Sequence, residues 1–300
     1  MVRKILIGFV LVGCFVSLFL SYTFLKEEAK KHRDPIDSVP LNAAVVIECQ
    51  NIRSIWSKIS ETNLVWSELI AISEMKALDS QIRTVDSIFS LSEERSAIID
   101  RKKTVVSFHS NGNEIAIFCS AVCSDAQFDT FEKMIKKENL KISQKEVQKT
   151  KVKIFSTDQT SYYYAYVAPF LLFSSSEDVI DKSISQLKNK VTLLQNDKFV
   201  KLKETSSHSA ALHCFINFKE FNRVAAPYIQ KSVTDAWQNG EIFPNWATFD
   251  LSLKPDAFLF SGLSTIDSKN IVLKSAFNQL PKQSRIKPNL PKNIAVLKRI

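Results

Sequence analysis

Glycine is scarce in this chain of 300 residues, which contains only five. Gly8 and Gly13 lie in an apolar N-terminal run, so that Gly112, Gly240 and Gly262 are the glycines of the remainder. Loops that cradle phosphate groups need clustered glycines, because the backbone must approach the ligand closely. Neither G-x-G-x-x-G nor G-x-x-x-x-G-K-[ST] occurs. The sequence therefore disfavours the usual nucleotide-binding sites.

Histidine is also scarce, and its spacing does not suit a metal site. The histidines are His32, His109, His208 and His213. The five-residue spacing from His208 to His213 matches no common zinc motif, and no Asp-x-Asp-x-Asp-Gly calcium loop is present. We interpret each histidine as a structural or surface residue. The sequence assigns no metal ligand and no cofactor.

Acidic pairs that could act as a general acid and base have simpler explanations. They are Glu27-Glu28, Glu93-Glu94 and Glu177-Asp178. Each lies at a predicted helix end or in a charged segment, where solvent or a helix dipole stabilises negative charge. Ser207 stands beside His208, but adjacency in sequence is not a catalytic geometry. The sequence assigns no catalytic residue, although catalytic groups can converge from distant positions.

No C-x-x-C motif is present. Cys119 and Cys123 are separated by three residues, which fits neither a redox motif nor a zinc half-site. Outside the N-terminal run the cysteines are Cys49, Cys119, Cys123 and Cys214. Three of them lie in apolar, strand-like runs, where free cysteine packs as a small hydrophobe. A disulfide among the four stays open, because nothing in the sequence fixes a pairing.

The clearest positive feature is an uncharged run of 21 residues from Ile5 to Leu25. As a helix it measures about 30 Å, enough to cross the hydrocarbon core of a bilayer. No A-x-A cleavage pattern precedes Lys26, so we predict an uncleaved signal-anchor. The alternative is a lipoprotein acylated at Cys14, since residues 11–14 (LVGC) resemble a lipobox. The apolar run continues beyond Cys14, which favours the anchor.

The orientation of the anchor is not decided by charge. Arg3 and Lys4 precede the run, and Lys26, Lys30 and further basic residues follow it, so the positive-inside rule is balanced. A short basic start followed by a long apolar run is typical of an export signal. We predict a single-pass protein of the cytoplasmic (inner) membrane, with its body in the periplasm.

The periodicity of the body predicts an α+β fold. Helical stripes follow the potential caps Asn51 and Asn63. A hairpin is predicted around Gly112, and further strand pairs lie near residues 151–174 and 246–264. Strands in pairs between single helices favour a mainly antiparallel sheet with helices packed on one face. We interpret Trp56 and Trp66 as core anchors rather than ligand platforms.

The formal net charge is +9, and lysines are concentrated between residues 133 and 153. Near a bilayer such a cluster could contact anionic lipid, but a solvated face is the commoner explanation and the one we favour. Nucleic acid is not expected as a partner, because no recognisable motif is present and the body is predicted to be exported.

Phenylalanine is abundant, with 21 in the chain. Aromatic side chains bury large areas, and phenylalanine has no polar group that needs a partner. We therefore expect a phenylalanine-rich core, with an apolar binding groove as the alternative.

The chain contains a short internal sequence repeat. Residues 39–45 (VPLNAAV) are matched by residues 290–296 (LPKNIAV), and both share the pattern apolar-Pro-x-Asn-x-Ala-Val. The first copy opens a predicted strand. We expect residues 286–300 to begin a second repeat in a truncated or partial chain, or to be a degenerate remnant.

A family resemblance follows from these features. It rests on the signal-anchor, on Pro40-Leu41-Asn42-Ala43 leading into a strand and Trp-bearing helices, on residues 245–251 (NWATFDL) and 260–262 (FSG), and on the renewed Pro-x-Asn segment. The chain resembles the bacterial membrane-anchored family catalogued as domain of unknown function 3352, common in Bacteroidota. The resemblance spans most of the chain with loose motifs. Because that family has no established activity, it implies no site residues.

We divide the chain into a signal-anchor helix at 1–25, a charged stalk at 26–38, an α+β domain at 39–285 and the start of a second repeat at 286–300. The expected function is a non-catalytic binding or structural module of the cell envelope. Its expected partners are the lipid bilayer through Ile5 to Leu25 and an envelope protein or anionic lipid. The alternative is a membrane-tethered hydrolase or transferase.

Overall fold

The computed structural model of the chain describes residues 15–19, 21, 33–90, 102–112, 114–137, 142–156, 160–206, 210, 212–226 and 245–265. Within these residues one antiparallel sheet of ten strands has the order β10-β9-β8-β1-β2-β3-β7-β6-β5-β4. The strands are β1 (Val45–Cys49), β2 (Thr104–Asn111), β3 (Glu114–Val122), β4 (Ile142–Val147), β5 (Thr150–Ser156), β6 (Ser161–Val167), β7 (Phe170–Ser174), β8 (Leu212–Asn217), β9 (Trp246–Lys254) and β10 (Ala257–Ser264).

Some helices connect strands that are neighbours in the sheet, and others connect strands that are far apart in it. They are α1 (Ile52–Thr62), α2 (Leu64–Leu69), α3 (Ser73–Ser90), α4 (Asp125–Lys137), α5 (Glu177–Asn189), α6 (Asp197–Thr205) and α7 (Phe218–Ala225), with 3₁₀ turns at Pro35–Ser38 and Leu193–Gln195. The chain is thus a mixed α/β protein with a large antiparallel sheet, as the pairing of strands predicted. Strand β4 was not among the predicted strands.

Helices cover both faces of the sheet. Face A, which carries Val46 and Phe118, packs against α5 and α6. Face B, which carries Cys119 and Phe173, packs against α4 and residues of α1 and α3. The prediction that helices pack on one face is therefore wrong. The central strands β3 and β7 show the reason, because their nearly continuous apolar sequences bury side chains on both sides.

Phenylalanine fills the core on both faces. The fully buried phenylalanines include Phe118, Phe131, Phe155, Phe173, Phe199 and Phe215. Edge-to-face and tilted ring contacts join several of them, such as Phe199 with Trp246 at 5.1 Å between ring centroids. These phenylalanines form core, as expected, whereas others such as Phe260 are exposed.

The folded body begins before residue 39. Ile36 and Ser38 are fully buried, and the hydroxyls of Ser38 and Ser120 share a hydrogen bond of 2.7 Å. The 3₁₀ turn that contains them is capped by Asp34, whose Oδ1 accepts from Ile36 N–H. Residues 34–38, which we assigned to the charged stalk at 26–38, therefore belong to the body, because Ile36 supplies an apolar anchor among the surrounding charges.

Several predictions fall mostly or wholly on residues outside the described set. These are the anchor at 5–25 apart from residues 15–19 and 21, which are helical, the Cys14 alternative, His32, His208, the pairs at 27–28 and 93–94, and the repeat at 286–300. In the part of the chain that is described, no helix combines the length and apolarity needed to span a membrane.

Candidate functional site

An apolar cavity of about 250 Å³ lies between face B and the helices α1, α2 and α3. Its floor is formed by strand residues and its roof by helix residues, and it is partly open to solvent. The floor consists of Ile47, Cys49, Val106, Phe108, Ile117, Cys119 and Leu212. The roof consists of Ile52, Arg53, Ile55, Trp56, Ile59, Trp66, Leu78, Ile82, Val85 and Asp86.

The floor follows from strand periodicity and register. Side chains of successive strand residues point to opposite faces, so Ile47 and Cys49 of β1 share face B. Ile47 pairs with Val106 on β2, and Val106 pairs with Cys119 on β3. Cross-strand neighbours on one face stand side by side. These three central strands therefore present a continuous apolar surface below the helices.

The roof follows from helix periodicity and capping. Asn51 caps α1 by accepting from Ser54 N–H at 3.2 Å, and Asn63 caps α2 by accepting from Trp66 N–H at 3.0 Å. Ile52, Ile55 and Ile59 then fall on one side of α1, at the spacing of an amphipathic helix. Both predicted caps are confirmed.

The β9–β10 turn holds α2 in place over the sheet. The Asn63 side-chain amide donates to the Lys254 carbonyl at 2.6 Å, and Leu64 N–H donates to the Pro255 carbonyl at 2.8 Å. Asn63 is buried, so its amide group satisfies one partner on the helix and one on the sheet. This attachment fixes the distance between the start of α2 and the sheet.

A network of four side chains joins the roof helices. Trp66 Nε1 donates to Asp79 Oδ1 at 3.0 Å, and Arg83 Nε donates to Asp79 Oδ2 at 2.7 Å. The Arg83 guanidinium lies over the Trp56 ring, 6.0 Å from its centroid. The two indole rings meet edge to face at 5.5 Å. Trp66 is buried, which confirms it as a core anchor, but both rings also line the cavity.

Among the lining residues, only Arg53 and Asp86 carry a charged group. The thiols of Cys49 and Cys119 do not ionise near neutral pH, because burial raises the pKa of each to about 12. Apart from Arg53 and Asp86, which also line the polar cleft, the groups of the cavity wall are apolar or un-ionised thiols. What the cavity can do chemically is hold a hydrocarbon group away from water.

A polar cleft of about 610 Å³ adjoins the cavity between α1 and α3. It shares Arg53, Trp56 and Asp86 with the cavity lining. Its other lining residues are Asn51, Ser54, Ser57, Ser60, Glu61 and Arg83. The two spaces together form one amphipathic site, apolar next to the sheet and polar on the outer side of the helices.

On face A a second polar cluster is fully engaged in ion pairs. Lys103 and Lys203 each bridge Asp34 and the buried Glu48. Lys203 Nζ lies 2.6 Å from Glu48 Oε2. Although burial opposes ionisation of Asp34, Lys203 and Lys103 outweigh it and lower the pKa of this carboxyl. The cluster joins the N-terminal 3₁₀ turn, the sheet and α6, and we interpret it as stabilising the fold.

The structure places two of the predicted structural histidines on face A. His109 is buried and shares a hydrogen bond of 2.9 Å between Nε2 and Ser107 Oγ. Burial lowers the pKa of its imidazole to about 3, so the ring is neutral near pH 7. His213 Nδ1 lies 2.7 Å from Asp250 Oδ1. The nearby Ser206 hydroxyl is engaged with Leu202 O and Thr248 Oγ1.

The predicted acidic pair Glu177-Asp178 and the described part of the basic segment at residues 133–153 lie apart from the cavity. Glu177 pairs with Lys145, 2.5 Å away, and Asp178 pairs with Lys182, as expected for a solvated helix start. Lys153 forms an ion pair with Glu132. The four cysteines Cys49, Cys119, Cys123 and Cys214 are free thiols. Within the described ranges no group of three or more His, Cys, Asp or Glu residues is placed to hold a metal ion.

Comparisons with known proteins give little similarity. No family model matches the chain, and no curated protein matches it. Among solved structures, crystal form I of TP0453 is similar with a TM-score of 0.43 at 15% identity, covering 83% of this chain and 84% of that chain. Crystal form III gives 0.38 at 14% identity, covering 82% and 87%, and form IV gives 0.41 at 15%, covering 78% and 81%.

Proposed function

We propose that the protein is a membrane-anchored binding module of the cell envelope, with its body in the periplasm and a hydrocarbon chain bound in the cavity below α1–α3. The observation that carries this proposal is the composition of the cavity. Its wall is made of aliphatic, aromatic and thiol groups, and its two charged residues are shared with the polar cleft.

The cavity has the size and chemistry of a site for an apolar group. In another protein an engineered apolar cavity of about 150 Å³ stays dry and binds benzene. The cavity described above is larger, at about 250 Å³. Small-molecule sites of this kind are mostly apolar, with a few polar groups that fix orientation.

The predicted anchor supports a membrane lipid as the source of the chain. Residues 5–25 tether the body to a bilayer in this proposal, so membrane amphiphiles are present at high local concentration. The resemblance to the family of domain of unknown function 3352 and the periplasmic orientation belong to the same proposal. The lipoprotein alternative at Cys14 leads to the same placement, because it also attaches the body to a membrane.

The competing proposal is a membrane-tethered hydrolase or transferase. Its strongest support is the His213–Asp250 pair at 2.7 Å, since an oriented imidazole can act as a general base. A nucleophile must also reach that imidazole. Ser206, which lines a polar pocket together with His213, donates instead to the Leu202 carbonyl and contacts Thr248 Oγ1. The binding module is therefore the better-supported function.

A fluorescent fatty acid tests the binding proposal. Full-length protein in phosphatidylcholine nanodiscs is titrated with dansyl-labelled undecanoic acid, while energy transfer from tryptophan to dansyl is recorded. We expect saturable transfer in the wild type, because Trp56 and Trp66 line the cavity. Val106→Phe fills the cavity floor and should abolish the saturable component. Val191→Phe adds the same volume at an exposed position and should bind as the wild type does. Equal binding by all three proteins would contradict the proposal.

A further inference from the structure

The polar cleft between α1 and α3 contains charges of both signs in equal number. Arg53 and Arg83 provide two guanidinium groups, and Glu61 and Asp86 provide two carboxylates. Arg83 is bonded to Asp79 behind the cleft, and Glu61 and Asp86 also act on it electrostatically, so these groups belong to one local field. The lining of the cleft therefore offers partners for both a cationic and an anionic group.

Hydroxyl groups complete the cleft. Ser54, Ser57 and Ser60 follow one another at three-residue spacing along α1, so they lie on neighbouring positions of its surface. Ser57 donates to Glu61 Oε2 at 3.0 Å. Guanidinium and hydroxyl groups are donors suited to phosphate oxygens. Carboxylates accept from an ammonium group, which has three N–H donors.

The cleft and the cavity meet at three shared residues, Arg53, Trp56 and Asp86. A hydrocarbon chain bound below α1 therefore leaves the cavity between the guanidinium of Arg53 and the carboxylate of Asp86. This junction places any head group that the chain carries among the mixed charges. An amphiphile whose head is purely anionic would bring its charge close to Glu61 and Asp86 as well as to the arginines.

We propose that the cleft binds the zwitterionic phosphoethanolamine head of a lipid whose hydrocarbon chain occupies the cavity. This inference rests on the proposed function and specifies its ligand class. The phosphate contacts the arginine side of the cleft and the ammonium contacts Glu61 and Asp86. A phosphocholine head satisfies the carboxylates less well, because its quaternary nitrogen has no N–H to donate.

Competition against the dansyl probe tests the head-group preference. Full-length protein loaded with dansyl-labelled undecanoic acid is titrated with single-chain phosphatidylethanolamine, phosphatidylcholine and phosphatidylglycerol of one chain length. We expect the ethanolamine lipid to compete about tenfold better than the other two, which is the factor contributed by one additional charge-assisted hydrogen bond.

Charge-neutral variants identify the groups responsible. Glu61→Gln should bring the three lipids within about twofold of one another, which is the loss of that same interaction. Arg53→Gln should weaken competition by all three lipids by a similar factor, because each of them carries the phosphate. The affinity of each variant for the dansyl probe is measured first, and competition by the lipids is expressed relative to it. Lys58→Gln removes a charge from an exposed position of α1 outside the cleft lining, and it should keep the tenfold preference.

The outcomes separate the two proposals. Equal competition by the three lipids in the wild type, a preference that survives Glu61→Gln, or unchanged competition in Arg53→Gln would overturn the head-group inference while leaving chain binding intact. Absence of saturable probe binding in the wild type would overturn the proposed function and, with it, this inference.

Discussion

The indole of Trp66 donates from Nε1 to Oδ1 of Asp79, 3.0 Å away, and thereby joins α2 to α3 above the cavity. The same carboxylate accepts from Arg83 Nε through its other oxygen. Asp79 is buried and Arg83 is half exposed. One carboxylate therefore satisfies the polar edge of a buried indole and positions the guanidinium that covers Trp56.

Removing that carboxylate should destabilise the roof. In Asp79→Ala the indole N–H is left buried without its acceptor, and Arg83 loses its ion pair. Hydrogen bonds that involve a charged group contribute about 1.5–3 kcal/mol, so we expect a loss of about 2 kcal/mol in the free energy of unfolding. Urea denaturation followed by tryptophan fluorescence measures it.

The matched control is Asp178→Ala, which removes a carboxylate from an exposed helical pair with Lys182. Such pairs contribute at most about 0.5 kcal/mol. If the two variants lose the same stability, the network around Asp79 does not hold the roof together.

Thiol labelling should report occupancy of the cavity. Cys49 and Cys119 line it, whereas Cys123 and Cys214 do not. We expect undecanoic acid at ~10 times its Kd to slow N-ethylmaleimide labelling of Cys49 and Cys119 about tenfold, because bound ligand suppresses local opening in proportion to occupancy. Peptide mass spectrometry follows each cysteine separately. Uniform slowing of all four cysteines would show that the acid acts elsewhere.

Acidification should destabilise the protein through His109. Its folded-state pKa of about 3 lies below the ordinary value of 6.5 because burial disfavours the imidazolium, with Lys182 adding to the effect and Asp178 opposing it. The unfolded chain therefore binds the proton first as pH falls. The contribution of neutral His109 to the free energy of unfolding is complete above about pH 6.5. As pH falls below that value, the contribution decreases by about 1.4 kcal/mol per pH unit until the folded-state pKa is reached.

His109→Gln isolates that contribution, since glutamine does not titrate and can still bond to Ser107. Between about pH 6.5 and pH 5 the wild type should lose about 2 kcal/mol more than the variant. His213→Gln serves as the comparison at a less buried site. Parallel pH profiles for wild type and His109→Gln would be inconsistent with a neutral buried imidazole.

Glu48 should be the most important carboxylate of face A. It accepts from both Lys103 and Lys203 while buried against the sheet. Glu48→Gln leaves two lysines with Asp34 alone, and we expect a loss of about 2 kcal/mol, below the full value for a buried pair because the lysines are partly exposed. Glu177→Gln, at an exposed pair with Lys145, should change the unfolding free energy by about 0.5 kcal/mol or less. Thermal denaturation of both variants side by side measures the difference.

Local chemistry made much of the fold predictable. Asn51 and Asn63 cap helices as their side chains suggested, and the hairpin at Gly112 uses its positive φ of 66°. The sequence does not predict strand β4, because ISQKEV at the sheet edge is mostly polar and has no apolar alternation. The pairing of strands does not show that the sheet is buried on both faces. The continuous apolar sequences of β3 and β7 are the feature that indicates it.

The cavity could be anticipated only in part. The stripe of Ile52, Ile55 and Ile59 predicts a covered helix face, but periodicity does not tell how closely that face approaches the sheet. The distance depends on the register of β1 with β2 and on the attachment of Asn63 to the β9–β10 turn. Those are contacts between residues far apart in sequence, and no local pattern encodes them.

Photo-crosslinking tests the central claim most directly. Full-length protein in bilayer vesicles is irradiated with a diazirine-bearing fatty acid, and crosslinked peptides are mapped by mass spectrometry. If a hydrocarbon chain occupies the cavity, crosslinks should concentrate on residues 47–59 and 78–86 in the wild type and disappear from them in Val106→Phe but not in Val191→Phe. Crosslinks confined to residues 5–25, or unchanged at the cavity in Val106→Phe, would contradict it.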